Sequence, residues 1–294
     1  MSLDQKLLEF DKLAKIKLVF DWLSEPKGKN FIKTTKIFTF KFLHLLKIFQ
    51  YLLNGNNLTK SLIRARDQFM KDSIATIARN KEGFLFNISR GEDLEIVSSS
   101  REKFVNVHFN PKENDIVVDV GSNIGTYTIK AASLVSKNGH VFAIEADPVT
   151  FERLIKNLVL NNISNVTAIN LAAFDKKKTL KLYRSNVSST NSVIFKKDSD
   201  FIKVQASTLD EMKDSFDIPF INWIKIDVEG AEIEVLNGAK KILSENDNLK
   251  ILLEVHSEKY ADTIEHILKE YNFKIINDKK YESSSWHLYA EKSL

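Results

Sequence analysis

The chain has 294 residues, 43% hydrophobic and 28% charged, which excludes a disordered or fibrous protein and allows one large domain, with or without an appendage. It has no cysteine, which excludes disulfides, thiolate zinc sites and cysteine nucleophiles and fits a reducing compartment. The net charge of +4 is uneven: residues 1–72 hold 14 Lys and Arg against 7 Asp and Glu, and the rest 29 against 32, so the first part suits an anionic partner.

Residues 1–80 read as a basic helical extension and 81–294 as the main domain. Leu3, Leu7, Leu8, Phe10 and Leu13 make a helical apolar stripe that Ile16, Val19 and Phe20 extend. Asp4, Lys6, Glu9 and Asp11 sit where the apolar core of a secretory signal would lie. Residues 26–30 break the pattern, a second helix spans 34–53 and stops at Asn54 and Gly55, and a third covers 58–78. Lys33, Lys36, Lys41 and Lys47 interrupt the most apolar stretch, so no membrane span is expected and the location reads as cytoplasmic. Between residues 26 and 66 nine basic residues face no acidic ones. Three readings remain for this phenylalanine-rich arm, with Phe38, Phe40, Phe42 and Phe49. It is a helical cap on the main domain, an interfacial helix at the anionic inner membrane surface through 31–66, or, least favoured, a nucleic-acid arm.

From Gly83 the texture turns to β-rich runs at 84–88, 94–97 and 104–109, then a strong strand at 116–120. Strands and helices alternate after that: strand 140–145, helix 148–162 capped by Asp147, and strand 166–170. A hairpin-rich insertion at 172–206 precedes strand 223–227, helix 229–243, strand 250–256, helix 259–271 and final strands at 273–276 and 286–290. This alternation implies an α/β fold with a parallel sheet covered on both faces, closed by one antiparallel strand.

The sharpest motif is VVDVGSNIGTYT, from Val117 to Thr128. A strand ends in Asp119, Gly121 and Gly125 flank a turn, and a helix begins, offering a close backbone and free amide groups. The next strand ends in Glu145, where a carboxylate can accept both hydroxyls of a ribose. A dinucleotide would want the three-glycine G-x-G-x-x-G spacing, and here it is G-x-x-x-G. S-adenosylmethionine, with no phosphate to cradle, fits the loop better.

Together with AIEADPVTFERLIKNLVLNN at 143–162, KIDVEGAEIEVLNGA at 225–239, ILLEVH at 251–256 and the Ser207-Thr208-Leu209-Asp210 lead-in, this motif resembles the FkbM family of S-adenosylmethionine-dependent methyltransferases over residues 84–258. Ser122 stands where alanine is commoner in the family, and the basic extension lies outside the family core. The resemblance implies a class I methyltransferase (Rossmann-like) fold, a seven-stranded, mostly parallel sheet whose last strand is antiparallel. It implies methylation of a hydroxyl oxygen on a sugar, glycan, lipid-linked saccharide or secondary metabolite. The alternatives are an RNA methyltransferase served by the basic arm, and a non-catalytic interaction module.

By the same resemblance Asp119, Gly121, Asn123 and Gly125 hold the methionine end of the cofactor, Glu145 the ribose, and Asn170, Ala172 and Ala173 the adenine side. Asp227 ends a buried strand where ligands bind in open α/β sheets, and Glu254 and His256 share one strand face at the same edge. Asp227 or His256 is the expected proton acceptor, with Asp227 also near the cofactor and Glu229, Glu254 and Asn191 near the acceptor. Glu229 and Glu232 read as first-turn helix acids that the helix dipole favours. Asp227, Glu229 and Glu232 also admit a metal, but carboxylates alone at this spacing are weak evidence, and none is expected. Glu254 and His256 equally suit a paired, purely structural role.

Overall fold

The computed structural model describes residues 27–28, 42, 76–89, 91–98, 103–184, 191–194, 200–278 and 286–292. Most of the predicted helical extension therefore lies outside the described residues, as do Ser188, Ser189 and Thr190 of the insertion. The chain separates into two compact units, residues 1–103 and 104–294.

In the first unit, β1 (Lys27–Gly28), β2 (Thr76–Arg79) and β3 (Leu85–Ile88) form an antiparallel sheet, followed by α1 (Gly91–Ile96). The third predicted helix is thus wrong at its end. Thr76 and Ala78 face inward while Ile77 and Arg79 do not, a period of two, and Asn80 and Gly83 turn the chain into β3. Asn80 Oδ1 accepts from Phe84 N across the turn (2.9 Å). The run at 94–97, expected as β, is mostly helical because Asp93 accepts from Ser89 N (2.7 Å) and starts α1.

α2 (Lys103–His108), also expected as β, begins on the last residue of the first unit and runs into the second. Val105, Val107 and Phe109 alternate as in a strand, but only Val105 and Phe109 are buried and Val107 is 72% exposed, the spacing of a helix face. Then come β4 (Ile116–Val120), α3 (Thr126–Val135), β5 (His140–Ile144), α4 (Pro148–Leu160), β6 (Val166–Ile169), β7 (Ala172–Ala173), β8 (Lys178–Tyr183) and β9 (Phe201–Ser207). The unit finishes with α5 (Leu209–Ser215), β10 (Trp223–Ile226), α6 (Glu232–Asn237), α7 (Lys240–Glu245), β11 (Lys250–Val255), α8 (Glu258–Glu270), β12 (Phe273–Asp278) and β13 (Trp286–Lys292).

The main sheet has seven strands in the order β12-β13-β11-β10-β4-β5-β6. β10 pairs in parallel with β4 and β11, and β4, β5 and β6 continue in parallel, while β13 runs antiparallel to both neighbours. This is the class I methyltransferase sheet, a Rossmann-like arrangement with its last strand reversed. β4 and β10 are buried throughout, so their apolar residues supply both faces of the core. The insertion forms a second sheet, β7-β9-β8.

The expected helix at 229–243 is two short helices. A Cβ at Gly238 would lie 2.1 Å from the Phe174 carbonyl oxygen, and α6 stops there. Asp210, far away in sequence, then accepts from Lys241 N (2.9 Å) and Ile242 N (3.0 Å) and caps α7. Thr208 and Glu211 form a reciprocal capping box on α5, so the lead-in to β10 is built as two helix starts. Among the described residues no helix is long and apolar enough to cross a membrane.

Candidate active site

Parallel pairing aligns the carboxyl ends of β4, β5, β6, β10 and β11 on one edge of the sheet. Gly121, Glu145, Asn170, Asp227 and His256 all follow those ends, so the residues predicted for the site gather there.

The glycine loop is shaped by its backbone. Gly121, Asn123 and Gly125 all have left-handed φ values of 79°, 51° and 90°. A Cβ at Gly121 would sit 1.8 Å from the Asp227 carbonyl oxygen, so only glycine lets the loop lie on the end of β10. Asp119 is fully buried; one oxygen accepts from Thr128 Oγ1 (2.6 Å), and burial raises its pKa despite nearby Lys225. Its other oxygen, Oδ1, and Asn123 Oδ1 are buried acceptors with no donor.

Glu145 closes the loop from the neighbouring strand. Its two oxygens accept from Asn123 N and Asp147 N, both at 2.9 Å. Burial outweighs these hydrogen bonds and raises its pKa to about 7. Asn170 donates to the Glu145 and Ala146 carbonyls (2.8 and 3.3 Å) and fixes the chain past β5. Ala172 and Ala173 are buried in β7, beside β9.

At the ends of β10 and β11 lies a charged cluster. Glu229 is not in a helix as expected. It occupies a left-handed turn (φ 53°) with Gly230 (φ 107°), and Glu232 is the first residue of α6. His256 Nδ1 donates to Glu232 Oε1 (2.8 Å), and that oxygen also accepts from Gly230 N (2.8 Å). His256 Nε2 faces Glu229 Oε1 at 3.5 Å, Glu254 Oε1 at 3.7 Å and Asp227 Oδ1 at 3.8 Å. Burial lowers the pKa of His256, but hydrogen bonds to Glu229 and Glu232 and the Glu254 charge outweigh it, so it is pushed up to about 12. The buried Lys225 holds Asp227 Oδ2 (3.2 Å) and lies over the Tyr127 ring, and His287 on β13 meets Glu254 Oε2 at 3.5 Å.

The insertion ties these two halves together. Asn191 donates to Asp147 Oδ2 (3.0 Å), where Arg184 also binds, and Ser192 Oγ donates to the Glu229 carbonyl (2.6 Å). Sequence reasoning missed Arg184, Lys225 and His287, and saw in Asp147 only a helix cap. Their partners come from other elements, and the one legible hint was a lysine in an otherwise apolar strand. Glu232 was noted as a helix acid, not as the group behind His256.

Residues 119–275, more than half the chain, match the Methyltransferase FkbM domain.

The chain belongs to the FkbM methyltransferase family.

Among curated relatives, hexuronic acid methyltransferase AglP of Haloferax volcanii is 31% identical over 54% of this chain and 63% of its own length. The tRNA(Phe) (4-demethylwyosine(37)-C(7)) aminocarboxypropyltransferase of Methanocaldococcus jannaschii is 25% identical over 55% and 60%. The chain thus spans less than two thirds of the length of the curated relatives it matches. A solved methyltransferase FkbM from Methylobacillus flagellatus aligns at 18% identity over 65% of this chain and 46% of its own, with a TM-score of 0.47. The cofactor of the FkbM family is S-adenosylmethionine, and the residues here fit it. The donor-less oxygens of Asp119 and Asn123 suit its ammonium group, and each Glu145 oxygen keeps a lone pair for a ribose hydroxyl.

Proposed function

We propose that the protein transfers the methyl group of S-adenosylmethionine to a hydroxyl oxygen of a sugar or glycan. The observation that carries this reading is the carboxylate cluster of Asp227, Glu229 and Glu254 on the same sheet edge as the glycine loop and Glu145. Carboxylates next to the cofactor loop accept hydrogen bonds from the hydroxyls of a sugar and take up the proton that a methylated hydroxyl must lose. The relative named as a hexuronic acid methyltransferase supports a sugar acceptor. The negative charge of the cluster repels an acceptor carboxylate, which favours a hydroxyl over the acid group of such a sugar.

When bound, the cofactor supplies an electrophilic methyl group on a sulfonium. The glycine loop and Glu145 hold it, and Asn123, Asp119 and Gly125 orient its amino-acid end. On the adenine side Asn170 and Ala172 line the site. Asp227 is the proton acceptor, at the end of β10 beside the glycine loop, and His256, held by Glu232, positions the carboxylates around it. Glu229, Glu254 and Asn191 face the acceptor. The nine basic residues between 26 and 66 suit peripheral contact of this arm with an anionic membrane surface.

The test is the full chain with labelled cofactor and separate panels of neutral sugars, uronic acid glycosides, lipid-linked saccharides and RNA. Label in a sugar that survives alkali, as an ether does and an ester does not, is the expected result. Label in RNA alone, or alkali-labile label alone, overturns the reading.

A further inference from the structure

Three carboxylates converge on one nitrogen in this site. Asp227, Glu229 and Glu254 each point an oxygen at His256 Nε2, at 3.8, 3.5 and 3.7 Å. One ligand atom from each of Asp227, Glu229 and His256 lies within 4.8 Å of the others. A cation at ordinary bonding distance, about 2.1–2.4 Å, reaches all three after shifts of a few tenths of an ångström.

The histidine is held as metal-binding imidazoles are held. Its Nδ1 donates to Glu232, which is wholly buried and whose Oε1 is pinned by Gly230 N. That bond fixes the ring plane and turns Nε2 toward the three carboxylates, the carboxylate–histidine pairing that orients an imidazole on a metal. A second, independent observation is Glu232 Oε2, a buried carboxylate oxygen without a hydrogen-bond partner in a residue that is 0% exposed. Lys225 meets Asp227 at Oδ2 and His287 meets Glu254 at Oε2, whereas the oxygens that face His256 Nε2 are Oδ1 and Oε1. An imidazole lone pair facing three carboxylates is repulsive unless a cation lies between them.

We infer that Asp227, Glu229 and His256 form a binding site for a divalent cation, with Glu254 as a further oxygen and Glu232 positioning the histidine. The set of carboxylate oxygens with one imidazole nitrogen suits Mn²⁺ or Mg²⁺ better than a soft metal. The site adjoins the glycine loop through the Gly121 contact with Asp227, so a hydroxyl that binds the cation stands beside the methyl donor. A cation lowers the pKa of a hydroxyl bound to it, which eases the same proton loss.

The experiment titrates the chelator-treated full chain with MnCl₂, read by calorimetry and by the loss of the free Mn²⁺ electron paramagnetic resonance signal, with no acceptor present. One Mn²⁺ per chain is expected, competed by Mg²⁺. Glu229→Gln and His256→Ala should each weaken binding at least about tenfold, and Glu232→Gln by about 10–100-fold, the range for lost partners of ligating histidines. Retained S-adenosylmethionine binding shows that each variant is folded; if none folds, the stoichiometry of the unaltered chain decides. Absence of saturable Mn²⁺ binding by the unaltered chain assigns the intervening positive charge to a proton and overturns the inference. Mn²⁺ binding that the folded variants leave unchanged overturns it equally. Because no acceptor is used, failure here is distinguishable from failure of the sugar assignment.

Discussion

Glu145 shows how one carboxylate serves both stability and binding. Its pKa is raised to about 7 by burial, above the ordinary carboxylate value, so the folded chain holds the proton more tightly than the unfolded chain. Its contribution to stability is therefore full below the ordinary carboxylate range and is lost as pH rises through about 7. Cofactor hydroxyls and a sulfonium charge favour the ionised form, so binding releases a proton. S-adenosylmethionine affinity should rise with pH up to about 7 and level off above it, as calorimetry in buffers of different ionisation enthalpy would report; a flat profile contradicts the assignment. Asp227 belongs to the same scale. Asp227→Asn should lower kcat by about 10²-fold or more with a much smaller change in cofactor affinity, measured by single-turnover assay and calorimetry, because the proton acceptor is lost while the backbone contact with the glycine loop stays.

At the level of elements, Asp210 carries the test. It caps a helix thirty residues downstream through two backbone amides, and Asp210→Ala should destabilise the fold by about 1 kcal/mol in urea unfolding without changing cofactor affinity. The ordered alternation after residue 116 was legible because buried parallel strands are written as continuous apolar runs, such as Ile116–Val120 and Trp223–Ile226. The motifs place Gly121, Glu145, Asp227 and His256 at the carboxyl ends of successive strands, and parallel pairing brings those ends to one edge. What stayed hidden was set by distant partners. The run 103–108 alternates like a strand, and only the burial of Val105 and Phe109 makes it a helix. Residues 229–243 read as one helix because nothing local announces that Gly238 meets the Phe174 carbonyl. The raised pKa of His256 depends on Glu229 and Glu232 as well as Glu254, and only Glu254, two residues away on the same strand face, was readable beside it in sequence.

For the whole molecule, the uneven charge is the feature to test. Nine basic residues and no acidic ones between 26 and 66 predict that the full chain pellets with vesicles rich in anionic lipid at low salt and is released at high salt. Neutral vesicles should not pellet it. Equal pelleting with neutral vesicles would assign the contact to apolar residues such as Phe42, which is 51% exposed.

The contact of Gly121 with the Asp227 carbonyl couples two loops rigidly. Backbone meets backbone there, and no side chain lies between to absorb a mismatch. The glycine loop and the turn after β10 therefore act as a single part. A chimera that exchanges one without the other will strain this contact, whereas Ser192 of the insertion reaches the turn after β10 through its side chain.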